Sequence, residues 1–303
     1  MFQKNHAVLW LVAAALIWAG AGISIKHFSI LGISFLVFFL VSRMFKFLAV
    51  WFVSYYRVKR HEPVKNLKEF LLIFLNACFS VGTPFFFFLA LNETSVSNAY
   101  FLQYTMPAWV LVFAVMFLGE KISGKKIIGI VLTLAGLFFI ASPNNGIAIN
   151  LGLLFGLLSA FSHTGDIVTT RELKGYSYHT ISFYTNLMQF MIAATVTPFF
   201  FGFLPADNNL PLLASIAGIG IMLGLASDLY YHALQKLEAS TAAIISFSEL
   251  VFAAVLAFIF FGESPEGNEL FGYALVFVAG AIIILRKAEL PFFDMLLRLT
   301  DKK

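Results

Sequence analysis

The sequence predicts an all-α integral membrane protein with ten transmembrane helices arranged as two inverted five-helix repeats. Three observations carry that expectation. Of 303 residues, 60% are hydrophobic and only 12% charged, where soluble domains carry roughly 25% charged residues; mean hydropathy is +0.88. The apolar residues gather into ten long runs separated by short polar linkers. The chain also resembles itself at an offset of 143 residues. This composition argues against a soluble enzyme, a nucleic-acid partner and a disordered chain. The single cysteine, Cys78, excludes an internal disulfide framework and a cysteine metal cluster.

The runs cover residues 8–25, 33–55, 70–91, 95–118, 127–141, 151–170, 179–203, 210–234, 239–261 and 270–285. A spanning helix needs about 20 apolar residues. The first run has Lys4 ahead of it and Ala19-Gly20-Ala21 within it, features shared with secretory signal peptides. Its length and its place in the repeat favour a structural span. The second run carries Arg43 and Lys46, three positions apart and so on one helical face. Pro84 in the third run and Pro107 in the fourth remove backbone donors and open local rings of carbonyl oxygens. The fourth run also holds Asn98, Tyr100, Gln103 and Tyr104. The sixth holds the i,i+3 pair His163 and Asp166, the eighth Asp228, Tyr231 and His232, and the ninth Glu249 near its centre. Gly152-xxx-Gly156 and Gly220-xxx-Gly224 suit close helix approach. After the tenth run, Phe292, Phe293, Leu296, Leu297 and Leu299 can line one side of a short helix at the membrane interface.

Orientation follows from the distribution of lysine and arginine. With the N-terminus inside, the inner segments hold 17 of the 20 basic residues and the outer segments only Lys26; Arg43 and Lys46 lie within the second span. That bias predicts a multi-pass protein of the cell (inner) membrane with both termini, and the 57–69 loop, in the cytoplasm.

At the 143-residue offset, Ala90-Leu91 matches Ala233-Leu234, Ser97 and Ala99 match Ser240 and Ala242, and Gly119-Glu120 matches Gly262-Glu263. The halves are residues 1–147 and 148–287, followed by a cytoplasmic interfacial tail, 288–303. Each half has five spans. Because five is odd, the second half enters the membrane from the opposite side. Inverted repeats commonly build alternating-access transporters with a midplane site between the halves.

The chain resembles the drug/metabolite transporter superfamily, and within it the EamA-type ten-helix members. AALIWAGAGISIK in the first run and SRMFKFLAVW in the second carry the resemblance, with GEKISGKKIIGIVLTLAGLFFI and GESPEGNELFGYALVFVAGAIII closing the two halves. It covers nearly the whole chain. It implies transport of a small metabolite by efflux, uptake or exchange, with an ion or counter-substrate gradient driving it and no prosthetic group or other cofactor.

The candidate site rests on polar groups placed inside apolar runs, where an ionisable side chain costs about 2.5–3.5 kcal/mol on insertion scales. Glu249 stands out, because its repeat equivalent is Met106 and scaffold symmetry does not account for it. Asp228 likewise has an apolar counterpart, Phe85, and His232 lies one turn beyond it. Acids near aromatics suit an amine-bearing metabolite: an amino acid, an organic amine or a cation like S-adenosylmethionine. The expected substrate-binding residues are Glu249, Asp228, Tyr104, Trp18, Gln103, Phe247 and Tyr231. Glu249, Asp228 and His232 are the expected proton-coupling groups, and Arg43, His163 and Asp166 line the pathway. The plainer reading makes each of these a packing or helix-pinning residue; with 37 Phe in the chain, any aromatic is first a packing residue. One alternative is an anionic metabolite held by Arg43 and Lys46. A membrane-bound enzyme or lipid scramblase is another, though loops this short offer little catalytic apparatus. No metal site is expected.

Overall fold

In a computed structural model, the structure describes residues 2–30, 35–57, 61–94, 96–141, 150–201, 210–262 and 267–284. The interfacial tail and Glu263 lie outside them. Among the described residues every regular element is an α-helix: α1 (Phe2–Ile30), α2 (Phe35–Arg57), α3 (Leu67–Glu93), α4 (Val96–Gln103), α5 (Met106–Leu118), α6 (Gly124–Ala141), α7 (Leu151–Glu172), α8 (Tyr178–Phe201), α9 (Leu210–Lys236), α10 (Ala239–Ser246), α11 (Ser248–Phe261) and α12 (Gly267–Ile284).

Among the described residues, seven stretches are long and apolar enough to cross a membrane: His6–Ser24, Val37–Tyr56, Leu67–Glu93, Asn98–Leu118, Leu151–Glu172, Pro211–Lys236 and Ala239–Phe261. The ten-run expectation counts α6, α8 and α12 in addition. The helices α6 and α12 are 18 residues long, about 27 Å at 1.5 Å per residue. A row of polar groups, Thr180, Ser182, Thr185, Asn186 and Gln189, runs along α8. Large apolar side chains such as Phe260, Met116 and Phe277 stand exposed, as expected of surfaces solvated by lipid.

The fourth and ninth runs, expected as continuous spans, are each broken. Between α4 and α5 the chain tightens, with Thr105 N donating to Leu102 O (3.2 Å) and Ala108 N to Thr105 O (3.1 Å). Pro107 has no N–H to offer Gln103 O. Between α10 and α11, Phe247 N donates to Ile244 O (3.3 Å) and Leu250 N to Phe247 O (3.0 Å). No proline lies there; the Ser246 hydroxyl donates to Ala242 O at 2.9 Å, a side-chain bond that bends helices.

Shifted by 143 residues, α2 to α6 fall on α8 to α12 within one residue at each end. The packing repeats the relation. The helix α3 lies along α7 as α9 lies along α1, and α5 meets α7 as α11 meets α1; α2 packs on its own counterpart α8, and α6 on α12. Exchanging the halves leaves this pattern unchanged, as an approximate two-fold axis requires. Small residues permit the closest approaches. A Cβ at Gly272 would meet Gly136 O at 2.5 Å, and Cβ atoms at Gly220 and Gly224 would meet the carbonyls of Ser42 and Lys46 at 2.6 and 2.8 Å. The second glycine pair thus seats α9 against the part of α2 that bears Arg43 and Lys46.

Glu120, just beyond α5, ties the halves together at the start of α10. Its carboxylate accepts from the Ala239 amide and from Ser240 Oγ (2.6 Å), and pairs with Lys126 at 3.1 Å. Burial alone would raise its pKa. The Ser240 hydroxyl, Lys126 and the Ala239 amide outweigh that and hold it below the ordinary 4.5.

Candidate functional site

Two groups of predicted residues gather on the axis that relates the halves. In the first, Tyr104 and Phe247 occupy the two helix breaks and meet edge to face, ring centroids 5.0 Å apart. Tyr100 stacks on Tyr104 at 5.8 Å, and Phe87 meets Tyr100 at 4.8 Å. Glu249 follows in the first turn of α11, where the helix dipole favours a carboxylate. Its charge acts on the hydroxyls of Tyr100 and Tyr104, and Tyr273 neighbours the same two rings. Among the described residues, no hydrogen bond or ion pair engages the Glu249 carboxylate. An acid close to an aromatic cluster, with no counter-charge among the described residues, is chemically suited to a cation. Gln103 ends α4 beside this cluster.

The second group is a buried polar network. Asp166 Oδ1 accepts from Asn76 Nδ2 at 2.9 Å, and Oδ2 from Tyr230 Oη at 3.0 Å. Asn76 Nδ2 also lies 2.9 Å from the hydroxyl oxygens of Thr169 and Thr170, and Asn76 Oδ1 accepts from Thr185 at 3.0 Å. Trp18 packs on Tyr230 at 5.1 Å, and Tyr231 lies beside Tyr230 at 5.4 Å. Across the network, Arg43 Nη1 and Lys46 Nζ both donate to Gln189 Oε1, at 2.7 and 3.1 Å. Asp166 lies within electrostatic range of both cations.

The remaining predicted residues lie apart. Asp228 accepts from the Ser182 hydroxyl, and His179 Nδ1 is 3.8 Å from its other oxygen. His232 shares a helical face with Asp228 by spacing, but its ring packs at a tilt against Trp10 (centroids 3.7 Å apart) and Tyr178 (4.2 Å). His163 does not join Asp166; its Nδ1 is buried with no hydrogen-bond partner among the described residues. Sequence reasoning missed Asn76, Tyr230, Gln189, Ser182, His179 and Tyr273. Only Gln189 carried a signal, as the residue 143 positions beyond Lys46.

A cavity of about 980 Å³ opens between the C-terminal part of α1, the N-terminal part of α9 and the C-terminal part of α11, lined by Ile17, Gly20, Ser24, Ser215, Leu256 and Phe260 among others. None of the predicted site residues lines it. Ile17 precedes Trp18, and Leu256 lies two turns beyond Glu249.

The sequence profile of the EamA-like transporter family matches residues 5–142 and again residues 150–286. An uncharacterized transporter of Archaeoglobus fulgidus is 26% identical over 213 residues, 70% of this chain and 75% of that one. An S-adenosylmethionine uptake transporter of Rickettsia bellii is 24% identical over 244 residues, 77% of each chain. A pseudopaline exporter of Pseudomonas aeruginosa is 25% identical over 195 residues, 64% of this chain and 67% of that one. A solved crystal structure superposes with a TM-score of 0.76 at 16% identity, over 92% of this chain and 98% of the other; it shares the fold.

Proposed function

Because this chain belongs to the EamA-like transporter family, we propose that it carries a small amine-bearing metabolite across the cell membrane by alternating access. In this reading the chain crosses ten times, with α6, α8 and α12 joining the seven long apolar stretches. Residues 1–147 and 148–287 are the inverted halves, and both termini and the tail 288–303 face the cytoplasm. The charge bias of 17 inner basic residues against one outer residue supports that orientation.

The observation that carries the substrate class is Glu249, held beside Tyr100, Tyr104 and Phe247 with no counter-charge among the described residues. A cation bound there gains charge pairing from the carboxylate and attraction from the ring faces. Broken helices at a repeat interface are a recurrent construction for transporter sites, and both breaks meet here. A proton and a cationic substrate compete for one carboxylate, so uptake of either displaces the other and couples their movements. The pairing of Asp228 with His179 and Ser182 supports a proton relay nearer the ends of α8 and α9. Similarity to an S-adenosylmethionine uptake transporter supports an adenosyl sulfonium cation among the candidate substrates, beside amino acids and organic amines.

The test is Glu249→Gln in purified, reconstituted protein. Glutamine keeps the shape and fixes the neutral state. Gradient-driven transport of labelled cationic substrates is expected to disappear while the protein remains folded and inserted. A wild-type rate with wild-type pH dependence would reduce Glu249 to a helix-packing role.

A further inference from the structure

We infer that Arg43, Lys46 and Gln189 form a carboxylate-binding subsite, so that the transported molecule bears a carboxylate as well as its amine. The inference rests on the proposed function and narrows its substrate class.

Hydrogen-bond capacity is the first argument. Arginine offers five N–H donors and lysine three. Among the described residues, Arg43 and Lys46 use one each, and both end on the same neutral oxygen, Gln189 Oε1. Lys46 is 8% exposed and Gln189 is fully buried. Two cations sharing one amide oxygen repel each other, and buried charge without a counter-ion is costly. Asp166 offsets that charge only from a distance: it lies within electrostatic range of both cations, but its oxygens accept from Asn76 and Tyr230. No ion pair joins it to either cation among the described residues, so the remaining donors of Arg43 and Lys46 stay available.

A second observation points the same way. Gln189 Nε2 is buried without a partner. Beside the two cations it adds a third donor to one locus. A carboxylate accepts through two oxygens and about four lone pairs, and the planar guanidinium matches it in bidentate fashion.

Position is the third argument. Lys46 and Gln189 are repeat equivalents, 143 residues apart, and so are Tyr104 and Phe247. Each pair is in direct contact. A residue that touches its own equivalent lies on the two-fold axis, and for inverted repeats that axis lies in the membrane plane. The Arg43–Lys46 cluster and the Glu249 cluster therefore share one depth, with opposite charge. That is the charge pattern of an amphoteric ligand: carboxylate toward α2 and α8, amine toward α11.

The experiment uses proteoliposomes and matched pairs of labelled probes that differ by one carboxylate: lysine and cadaverine, ornithine and putrescine, phenylalanine and phenethylamine, S-adenosylmethionine and its decarboxylated form. In wild type, at least one carboxylate-bearing member is expected to be preferred about tenfold or more over its amine, in line with a charge-assisted pair of hydrogen bonds. Lys46→Met and Arg43→Gln are expected to erase that preference by weakening only the carboxylate-bearing probe; Lys46→Arg is expected to restore it, which separates the subsite from folding. Equal handling of both members by wild type, or equal loss of both in the variants, would overturn the subsite. If free acetate stimulates transport of the decarboxylated amine in wild type while the carboxylate preference is absent, the cluster holds a separate anion and the inference fails. Glu249→Gln run in parallel tells the two levels apart. Loss of amine transport there, without a carboxylate preference, leaves the proposed function standing. Transport of no probe at all by wild type would overturn both.

Discussion

Tyr104 and Phe247 stand 143 residues apart in the chain and meet edge to face at 5.0 Å, each at the break in its own half. The contact joins two half-helix pairs, α4–α5 and α10–α11, and sets Glu249 two residues from the meeting point. An aromatic at this position can hold a cation through its face whether or not it carries a hydroxyl.

Tyr104→Ala should therefore weaken substrate binding by about 1–2 kcal/mol, the scale of a desolvated cation–π contact, and Tyr104→Phe should leave affinity nearly unchanged. Equilibrium binding to purified protein checks this. Equal loss in both variants would assign the contact to the hydroxyl, and wild-type affinity in both would remove Tyr104 from the site.

Glu120 should make the fold sensitive to acid. Its carboxyl titrates lower in the folded protein than its ordinary 4.5, so it binds fewer protons folded than unfolded. The stabilisation is complete above the unfolded value and is lost as pH falls through the lowered folded value. In Glu120→Gln, thermal stability in detergent should drop at neutral pH and lose part of its acid dependence below about pH 4.5. An identical pH profile in variant and wild type would refute the assignment.

The α6–α12 contact should tolerate no side chain at Gly272. A Cβ there would lie 2.5 Å from Gly136 O and 2.7 Å from Ile140 Cγ1, and a backbone oxygen has little freedom to move. Gly272→Ala is expected to cost about 1–3 kcal/mol as overpacking, read as a lowered Tm. Gly280→Ala, with nothing within 4 Å of the added carbon, serves as the control and should melt like wild type.

Lys65 reports the orientation. It is exposed, its amide donates to Tyr176 Oη at 3.2 Å, and its ammonium lies 5.0 Å from the Tyr176 ring centre. A cysteine in its place should react with membrane-impermeant reagents only after the cytoplasmic face is opened. Labelling from outside intact cells would invert the topology.

Much of the architecture was legible because hydropathy is a property of each residue and its near neighbours. The apolar runs coincide with helices, and the Gly119-Glu120 and Gly262-Glu263 match announced the repeat. The helix breaks were less legible. Pro107 flagged the first, but the second lies at Ser246 and Phe247, where no residue type demands it. Site residues divide along the same line. Glu249 was visible as an unmatched acid in an apolar run. Asp166 and Asp228 looked equivalent in the sequence, each an acid with a histidine within one turn, yet they have different partners.

The sequence by itself determined the class and the repeat, because transfer into lipid acts on composition summed along the chain; the bias of positive charge adds an expected sidedness that the Lys65 labelling tests. Only the tertiary structure decided which polar groups meet. Helical spacing sets the face a side chain occupies, but not the helix opposite it. Asp166 is claimed by Asn76 and Tyr230, which lie 90 residues before it and 64 after it. His232 turns to Trp10 and Tyr178 instead of Asp228. Arg43 and Lys46 converge on Gln189 because the two halves cross at α2 and α8. Those pairings depend on the two-fold docking of the halves, in which glycines let backbones approach and long-range contacts override local spacing.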